Sequence, residues 1–189
     1  MCGRYSLDTQ LELLASRYGV EIETIELNPS KEIFPTTQNP VILQNHTFRL
    51  MKWGLTNPYN KQPIINSRLE TVAQKPMFKK LIVESRCLIP ATSFYEWEKP
   101  NKVKREITLL DQEIFSMAGI YRLFKTEDNK ELYEFSILTM PANKDIETLH
   151  DRMPVILNST AELLYLNEKT PLQKVLQLCQ QANPSLQIQ

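Results

Sequence analysis

Short apolar runs separated by turn signals fill residues 86–157, and they limit the possible folds more than any other feature of the chain. The runs are CLIPA, FYEW, EITLL, IFSMAGIYRLF, LYEFSILTM and MPVIL, and the breaks between them include KPN at residues 99–101 and DN at residues 128–129. Their length and their β-branched and aromatic residues are typical of strands. Two further runs around QNH at residues 44–46 predict a β-hairpin. The chain is therefore expected to be mainly β.

Helical patterns flank and interrupt these strands. Apolar spacing predicts a helix over residues 8–18, capped by Asp8 or Thr9 and ended by Gly19. A second helix is predicted through residues 78–83, beginning at Pro76, and a short one over PANKDIETLH at residues 141–150. Beyond the last strand, a capping box of Ser159 and Glu162 begins a helix to about residue 166, and a final helix covers residues 171–182.

These elements together predict one α+β domain over residues 1–189. Its centre is expected to be a mainly β, barrel-like or bifurcated sheet, with helices at both ends of the chain and in the middle. The chemically informative motifs lie within residues 2–157, and the C-terminal helices over residues 159–182 follow them.

Composition excludes several classes of function. The four glycines stand far apart, so the chain has neither a P-loop nor a dinucleotide fingerprint. Two histidines and three scattered cysteines lack the spacing of a zinc site, and no apolar run approaches the roughly 18 residues of a membrane span. The start, MCGRYSLD, has no apolar signal region, and an odd number of cysteines fits a reducing cytoplasm. We expect a cytoplasmic monomer with no cofactor, no metal and no membrane partner.

Charge is balanced overall but unevenly distributed. The chain has 22 basic and 22 acidic residues, yet residues 49–86 contain eight basic side chains against two acidic ones, a net charge of +6. Such a segment either follows a phosphate backbone or forms an ordinary solvated basic face.

The second residue has the most distinctive chemistry. Once Met1 is removed, Cys2 presents a thiol and a primary amine on adjacent carbons. The amine can form a Schiff base with an aldehyde, and the thiol can then close on the same carbon to give a five-membered thiazolidine. The alternative is a small residue that merely follows the initiator methionine.

Five motifs in order give that cysteine a context. They are MCGRY at the start, WGL at residues 53–55, INSRLET at 65–71, RCLIPATSFYEWEK at 86–99 and LHDRMPVIL at 149–157. Together they resemble the SOS-response-associated peptidase (SRAP) family of abasic-site processing proteins. The resemblance implies a mainly β α+β domain that captures abasic sites in single-stranded DNA covalently. It also implies self-removal of Met1, which exposes Cys2, and association with the nucleoid when DNA is bound.

The resemblance assigns catalytic roles to four residues. Cys2 is the implied nucleophile, and Asn66 orients the N-terminal residue and the sugar. Glu96 moves protons and stabilises the iminium, while His150 opens the closed sugar. Schiff-base chemistry also allows weak lyase activity by β-elimination.

A second set of residues is assigned to DNA binding. The implied phosphate ligands are arginines of the same motifs, because guanidinium groups match phosphate oxygens. Tyr59 can stack on a base although the family often has a Trp pair near this position, and Ser93 stands where the family usually has Gly. The expected DNA-binding residues are Arg4, Arg68, Arg152, Pro58, Tyr59 and Lys75.

Each assignment has a plainer alternative. On its own, His150 could be a capping or core histidine, Asn66 a turn residue, and Glu96 a residue on the solvent face of its strand. Cys87 and Cys179 are expected to be packed thiols. At the level of function, the alternatives are an N-terminal-nucleophile cysteine peptidase or amidohydrolase and a non-catalytic single-stranded DNA-binding module.

Overall fold

A closed barrel forms the centre of the molecule. The structure, a computed structural model, describes residues 2–20, 28–60, 62–125 and 129–189. Within these ranges, five strands pair in a closed ring. They are β3 (Gln38–Ile42), β4 (Phe48–Trp53), β6 (Arg86–Ala91), β9 (Phe115–Lys125) and β10 (Glu131–Pro141). Their order around the ring is β3, β4, β10, β9, β6 and back to β3, and only the β4–β10 pair is parallel.

Shorter strands extend this barrel at β9 and β10. They are β5 (Asn66–Arg68), β11 (Arg152–Pro154) and β12 (Ile156–Leu157). Strand β5 pairs with β10 in parallel orientation, β11 pairs with β10 in antiparallel orientation, and β12 pairs with β9. Because β5 and β11 both pair with the C-terminal half of β10, two sequence motifs more than 80 residues apart lie close together there.

A second, antiparallel sheet packs beside the barrel and contains the start of the chain. Its strands are β1 (Tyr5–Leu7), β2 (Ser30–Ile33), β7 (Ser93–Glu98), β8 (Val103–Leu109) and β13 (Leu186–Ile188). Their order across the sheet is β13, β8, β7, β1, β2, so β1 lies between β2 and β7. Pairing of Tyr5 with Phe94 therefore places the residues just before β1 beside the middle of β7.

Aromatic side chains join the two sheets. Tyr5 from β1 meets Trp53 edge-on at 5.1 Å between ring centroids, and Trp53 stacks on Phe135 at 6.4 Å. All three are buried. Inside the barrel, Gly119 leaves room for the side chain of Ile89, whose Cδ1 would lie only 2.2 Å from a Cβ at residue 119. Close packing thus fixes both the barrel and its contact with the second sheet.

Helices cover the outside of the barrel. None of them within the described ranges is long and apolar enough to cross a membrane. They are α1 (Leu11–Tyr18), α2 (Leu69–Val72), α3 (Pro76–Lys79), α4 (Leu81–Glu84), α5 (Ser159–Leu166) and α6 (Leu172–Gln180). The expected α+β architecture with a barrel-like sheet is confirmed, as are the hairpin formed by β3 and β4 and the strand character of residues 86–140.

Several local predictions were wrong. Residues 144–149 form turns rather than a helix, and the stretch 78–83 is divided between α3 and α4. Gln10, not Asp8 or Thr9, precedes α1, although Gly19 ends it in the left-handed conformation as expected. Asn158, not Ser159, caps α5, because its side chain accepts from the backbone N–H of Ala161. The run MPVIL is split between β11 and β12, since its two halves pair with different strands.

Candidate active site

Four chain segments bring Cys2, Asn66, Glu96 and His150 together. Cys2 precedes β1, Asn66 begins β5, Glu96 lies in the middle of β7 and His150 lies two residues before β11. Asn66 Nδ2 donates to the backbone carbonyl oxygen of Cys2 at 2.8 Å. His150 Nε2 lies 3.8 Å from Glu96 Oε2. The barrel edge and the second sheet each supply two of these residues, so the site lies where they meet.

The thiol of Cys2 is completely buried. Its Sγ donates to the backbone carbonyl oxygen of Arg4 at 3.6 Å. Burial raises the pKa of Cys2 to about 12, and the negative charge of Glu96 adds to that rise. The thiol therefore starts protonated, and it needs a base to become a nucleophile. Glu96 is the carboxyl group close enough to influence it.

Glu96 is also buried, so its alternative position on a solvent-facing surface is wrong. Burial raises the pKa of Glu96 above its ordinary value, and the charge of His150 opposes part of this rise. A carboxyl group in this environment exchanges a proton more readily near neutrality than an exposed glutamate does.

The imidazole of His150 faces Glu96 with one nitrogen and the backbone with the other. The backbone N–H of Arg152 donates to Nδ1 at 2.9 Å, so in the neutral ring the proton sits on Nε2, the nitrogen that faces Glu96. Asp151 Oδ1 lies 3.1 Å from the same Nδ1. Both ring nitrogens of His150 therefore have polar neighbours.

The expected DNA-binding residues fall into three groups, of which the first is Arg4 alone, half-buried and paired with Glu32. Arg68 and Lys75 are exposed, as are Pro58 and Tyr59 on the loop after β4, where the side chain of Tyr59 is 90% exposed. Their positions are compatible with contact to a ligand outside the protein, and their roles remain predictions.

Arg152 differs from these exposed residues because its guanidinium group is buried within the protein. Both of its Nη atoms bond to the carboxylate of Glu70, and Nη2 also donates to the carbonyl oxygen of Thr139 at 2.7 Å. Glu70 belongs to the INSRLET motif, so this bond links that motif to the LHDRMPVIL motif beside the C-terminal half of β10. The structure therefore shows Arg152 as an internal link, and its assignment as a phosphate ligand stays a prediction.

The basic segment at residues 49–86 is not a continuous basic surface. Arg86 is buried, and its guanidinium donates to the carbonyl oxygens of Ile82, Val83, Tyr165 and Asn167. Lys52 bonds to the buried carboxylate of Glu134 at 2.8 Å. These two cations serve the fold, so their charges cannot be counted toward a DNA-binding face.

Ser93, the departure from the family's usual glycine, links the sheet that carries Glu96. Its hydroxyl lies 2.6 Å from Ser6 Oγ on β1 and donates to Glu106 Oε1 on β8 at 2.6 Å. Cys87 and Cys179 are buried free thiols, as expected. In the described parts of the chain, no three His, Cys, Asp or Glu side chains cluster as metal ligands would.

Sequence reasoning missed the acidic partners of the arginines. Glu70 holds Arg152, and Glu32 contacts Arg4 at 3.1 Å. The sequence separations are 82 and 28 residues, and no local pattern connects such pairs. Only the strand order brings them together.

The fold and the site together define a mainly β α+β domain with an N-proximal cysteine beside a buried Glu–His pair, next to a five-strand barrel. The chain belongs to the family SOS response associated peptidase (SRAP), whose family model matches residues 1–189.

Curated relatives and solved structures agree with this membership. The Bacillus subtilis protein named abasic site processing protein YoqW is 34% identical over 182 aligned residues, covering 89% of this chain and 81% of the relative. The Xenopus tropicalis protein named abasic site processing protein HMCES is 26% identical over 170 residues, covering 69% of this chain and 51% of the relative. A crystal structure of a Bacteroides thetaiotaomicron protein superposes with a TM-score of 0.88 at 25% identity, covering 99% of this chain and 91% of that one.

Proposed function

We propose that this protein captures abasic sites in single-stranded DNA by forming a thiazolidine between Cys2 and the aldehyde of the ring-opened sugar. The observation that carries the proposal is the convergence of Asn66, Glu96 and His150 on residue 2. The names of the curated relatives supply the substrate class.

Removal of Met1 is the first requirement, because in the unprocessed chain the nitrogen of Cys2 is part of a peptide bond and cannot form an imine. The same residues are suited to that cleavage. Asn66 holds the backbone carbonyl of Cys2, and Glu96 can exchange protons at the neighbouring nitrogen. We include this self-processing in the proposed activity.

Asn66 then has a second use. Its Nδ2 is engaged by Cys2, whereas its Oδ1 is buried without a hydrogen-bond partner among the described residues. A buried acceptor of this kind is costly unless a ligand satisfies it. A hydroxyl group of the sugar would do so, and the amide would thereby align the sugar with the N-terminal residue.

Ring opening falls to His150. The abasic sugar is mostly a closed hemiacetal, and its opening moves a proton from the hydroxyl group to the ring oxygen. Imidazole can accept a proton at one nitrogen and donate one from the other, and both nitrogens of His150 have polar neighbours.

The covalent steps balance without any external reactant. The amine of Cys2 adds to the aldehyde carbon and gives a carbinolamine, whose hydroxyl group leaves as water when Glu96 supplies a proton. The resulting iminium is attacked by the sulfur, and the thiol proton returns to Glu96. One C–N and one C–S bond form, the C=O bond is lost, and one water is released. Since burial keeps the thiol protonated, the return of this proton to Glu96 is needed for ring closure.

The iminium intermediate also has a side path. A positively charged nitrogen on the sugar carbon makes the neighbouring C–H bond more acidic, so β-elimination of the 3′ phosphate can compete with thiol attack. Weak lyase activity is therefore part of the proposal, and it should increase when the thiol is absent but the amine is kept.

The direct test uses protein whose Met1 removal has been verified by intact mass. It is incubated with a labelled single-stranded oligonucleotide that contains one abasic site, and the products are separated on a denaturing gel. We expect a covalent product with wild type and none with Cys2→Ala. Cys87→Ala is the matched control, because Cys87 is equally buried but lies in barrel strand β6.

Cys2→Ala and Cys2→Ser both retain the amine and remove the thiol, and Cys2→Ser also retains a polar side chain of similar size. Each variant should give a product only when borohydride reduces the imine, together with more strand cleavage. A stable product with Cys2→Ala in the absence of borohydride would overturn the proposal. Turnover of peptide or amide substrates without DNA would instead support the peptidase alternative.

A further inference from the structure

Three charged side chains meet on the second sheet, close to the N-terminal residue. Glu32 Oε1 lies 3.1 Å from Arg4 Nη1 and accepts from Lys104 Nζ at 2.6 Å. The residues come from three places in that sheet: the edge strand β2, the segment before β1, and β8. One carboxylate oxygen therefore holds two cations that are far apart in sequence.

An aromatic ring fixes the arginine of this cluster. The guanidinium carbon of Arg4 lies 3.5 Å from the centroid of the Phe34 ring, and Phe34 is itself 46% exposed. Lys104 similarly lies 4.0 Å from the centroid of the Tyr95 ring. In this arrangement the N–H groups at the rim of the Arg4 guanidinium, and those of the Lys104 ammonium that point away from the ring, can bind an oxygen ligand. Cations and aromatic rings that alternate in this way are typical of surfaces that bind single-stranded nucleic acid.

The chain itself links this cluster to the residue that would bind the sugar. Arg4 is two residues from Cys2, and two residues span at most about 7 Å. A sugar bonded to Cys2 has a phosphate on each side, and these groups lie within reach of an arginine side chain at that distance. Such a phosphate would place an oxygen between Arg4 and Lys104. In this structure, Glu32 Oε1 occupies that position.

We propose that Arg4 and Lys104 form a phosphate subsite for the nucleotide beside the abasic one, and that Glu32 is a built-in competitor for it. DNA must displace a carboxylate before it gains the two cations. Glu32 thereby weakens binding of undamaged strands, which offer phosphates but no aldehyde. The inference rests on the proposed function for its DNA ligand. Because its contact with Lys104 lowers the pKa of Glu32, the competing carboxylate is ionised at neutral pH.

The test is a gain of binding. Affinity for an intact, fluorescently labelled single-stranded oligonucleotide is measured by anisotropy at several salt concentrations, with wild type and Glu32→Gln. We expect Glu32→Gln to bind about three- to tenfold more tightly, with a salt dependence steeper by about 0.7 per additional phosphate contact. Glu98→Gln is the matched control, because it removes the same charge and releases Arg105 on the same sheet without touching Arg4.

Arg4 and Lys104 must carry the effect. In Arg4→Ala and Lys104→Ala backgrounds, adding Glu32→Gln should tighten binding less than it does in wild type. Equal gains for Glu32→Gln and Glu98→Gln, no gain, or an undiminished gain in both backgrounds would each overturn the competitor role.

The subsite and the proposed function fail in different assays. The subsite is tested by reversible binding of intact DNA, whereas the proposed function is tested by the covalent product with abasic DNA. A wild-type cross-link together with an unresponsive Glu32→Gln variant contradicts only the subsite. Tighter binding by Glu32→Gln without any cross-link contradicts only the capture chemistry.

Discussion

The buried carboxyl group of Glu96 connects the two chemical partners of the site. It lies near enough to Cys2 to raise the pKa of the thiol, and its Oε2 lies 3.8 Å from His150. Burial in turn raises the pKa of Glu96 itself. A group with these neighbours can hold a proton in one step and accept it in the next, which is what iminium formation followed by thiol addition requires.

Replacing Glu96 with glutamine should therefore remove chemistry and leave binding intact. We expect the cross-linking rate of Glu96→Gln at saturating abasic DNA to fall by about 10²- to 10⁴-fold, the usual contribution of a positioned acid–base group. Affinity for intact single-stranded DNA, measured by anisotropy, should change less than about twofold. Glu98→Gln, two residues along the same strand, is the control; a large affinity loss with Glu96→Gln would instead make Glu96 a structural residue.

The direction of the Glu96 pKa shift predicts how stability depends on pH. A raised pKa keeps the carboxyl protonated at pH values where an ordinary glutamate, near 4.5, is already ionised, so Glu96 can still supply the proton for loss of water at those pH values. Ionisation of such a group also destabilises the fold as pH rises through the interval between the ordinary and the raised pKa. At pH 7, the unfolding temperature of Glu96→Gln should therefore be at least as high as that of wild type. The difference in unfolding temperature should vanish below pH 4.5.

Ring opening by His150 can be separated from capture by changing the substrate. His150→Ala should slow cross-linking to an abasic sugar, which must open first, by about 10²-fold. It should have little effect on an oligonucleotide that carries an open-chain alkyl aldehyde at the same position. Both rates are read from time courses on denaturing gels. Equal slowing with both substrates would contradict a role in ring opening and would place His150 in a later step.

At the scale of elements, sequence patterns succeeded where the local signal and the tertiary environment agreed. The alternating and aromatic runs of residues 86–140 became strands β6 to β10. Four of these strands are largely buried against neighbours that favour pleated, branched side chains, and the more exposed β8 pairs with β7 and β13. The pattern failed at residues 141–150. There Asn143 accepts the backbone N–H of Glu147, but the following residues turn toward β11 and no helix continues.

The beginning of α5 shows why helix boundaries are difficult to predict. Two neighbouring residues, Asn158 and Ser159, are both good caps by type, and the spacing of Ser159 to Glu162 favoured the wrong one. The strand β12 ends at Leu157, which leaves Asn158 as the extended residue before the helix. Tertiary pairing, which the sequence does not display, decided the boundary.

That assignment has a direct consequence for stability. Asn158→Ala should lower the free energy of unfolding by about 1 kcal/mol, because the backbone N–H of Ala161 loses its acceptor. Ser159→Ala, which removes the cap that the sequence predicts, should change it by less than about 0.5 kcal/mol. Urea unfolding of the two variants beside wild type measures both. The opposite order of effects would show that Ser159 caps the helix in solution.

The sequence selects the candidate residues but not their surroundings. Cys2, Asn66, Glu96 and His150 were assigned through the resemblance of five ordered motifs to a family, and their catalytic roles stay predictions. The burial of Glu96 and the ion pair between Glu70 and Arg152 both depend on the strand order of segments more than 50 residues apart. Such contacts leave no periodic trace in the chain, so the sequence alone could not separate an internal arginine from a phosphate ligand.

For the molecule as a whole, charge is divided between holding the fold and facing the ligand. Arg86 shows the first use most clearly, because it lies where α4 and α5 both end. Its guanidinium donates to backbone carbonyls of Ile82 and Val83 on one side and of Tyr165 and Asn167 on the other. Carbonyl groups at helix ends lack partners within the helix and carry partial negative charge. A single cation thus joins the C-terminal helical region to the barrel through β6.

Substitution of Arg86 should therefore affect stability rather than DNA binding. Arg86→Met fills a similar volume but leaves buried carbonyls without donors, so we expect a loss of about 3 kcal/mol in the free energy of unfolding by urea. Lys75→Ala, an exposed member of the same basic segment, should change stability by less than about 0.5 kcal/mol. It should instead reduce the salt dependence of single-stranded DNA binding by about 0.7. If Arg86→Met is stable and binds DNA weakly, the net charge of +6 in this segment acts as one surface after all.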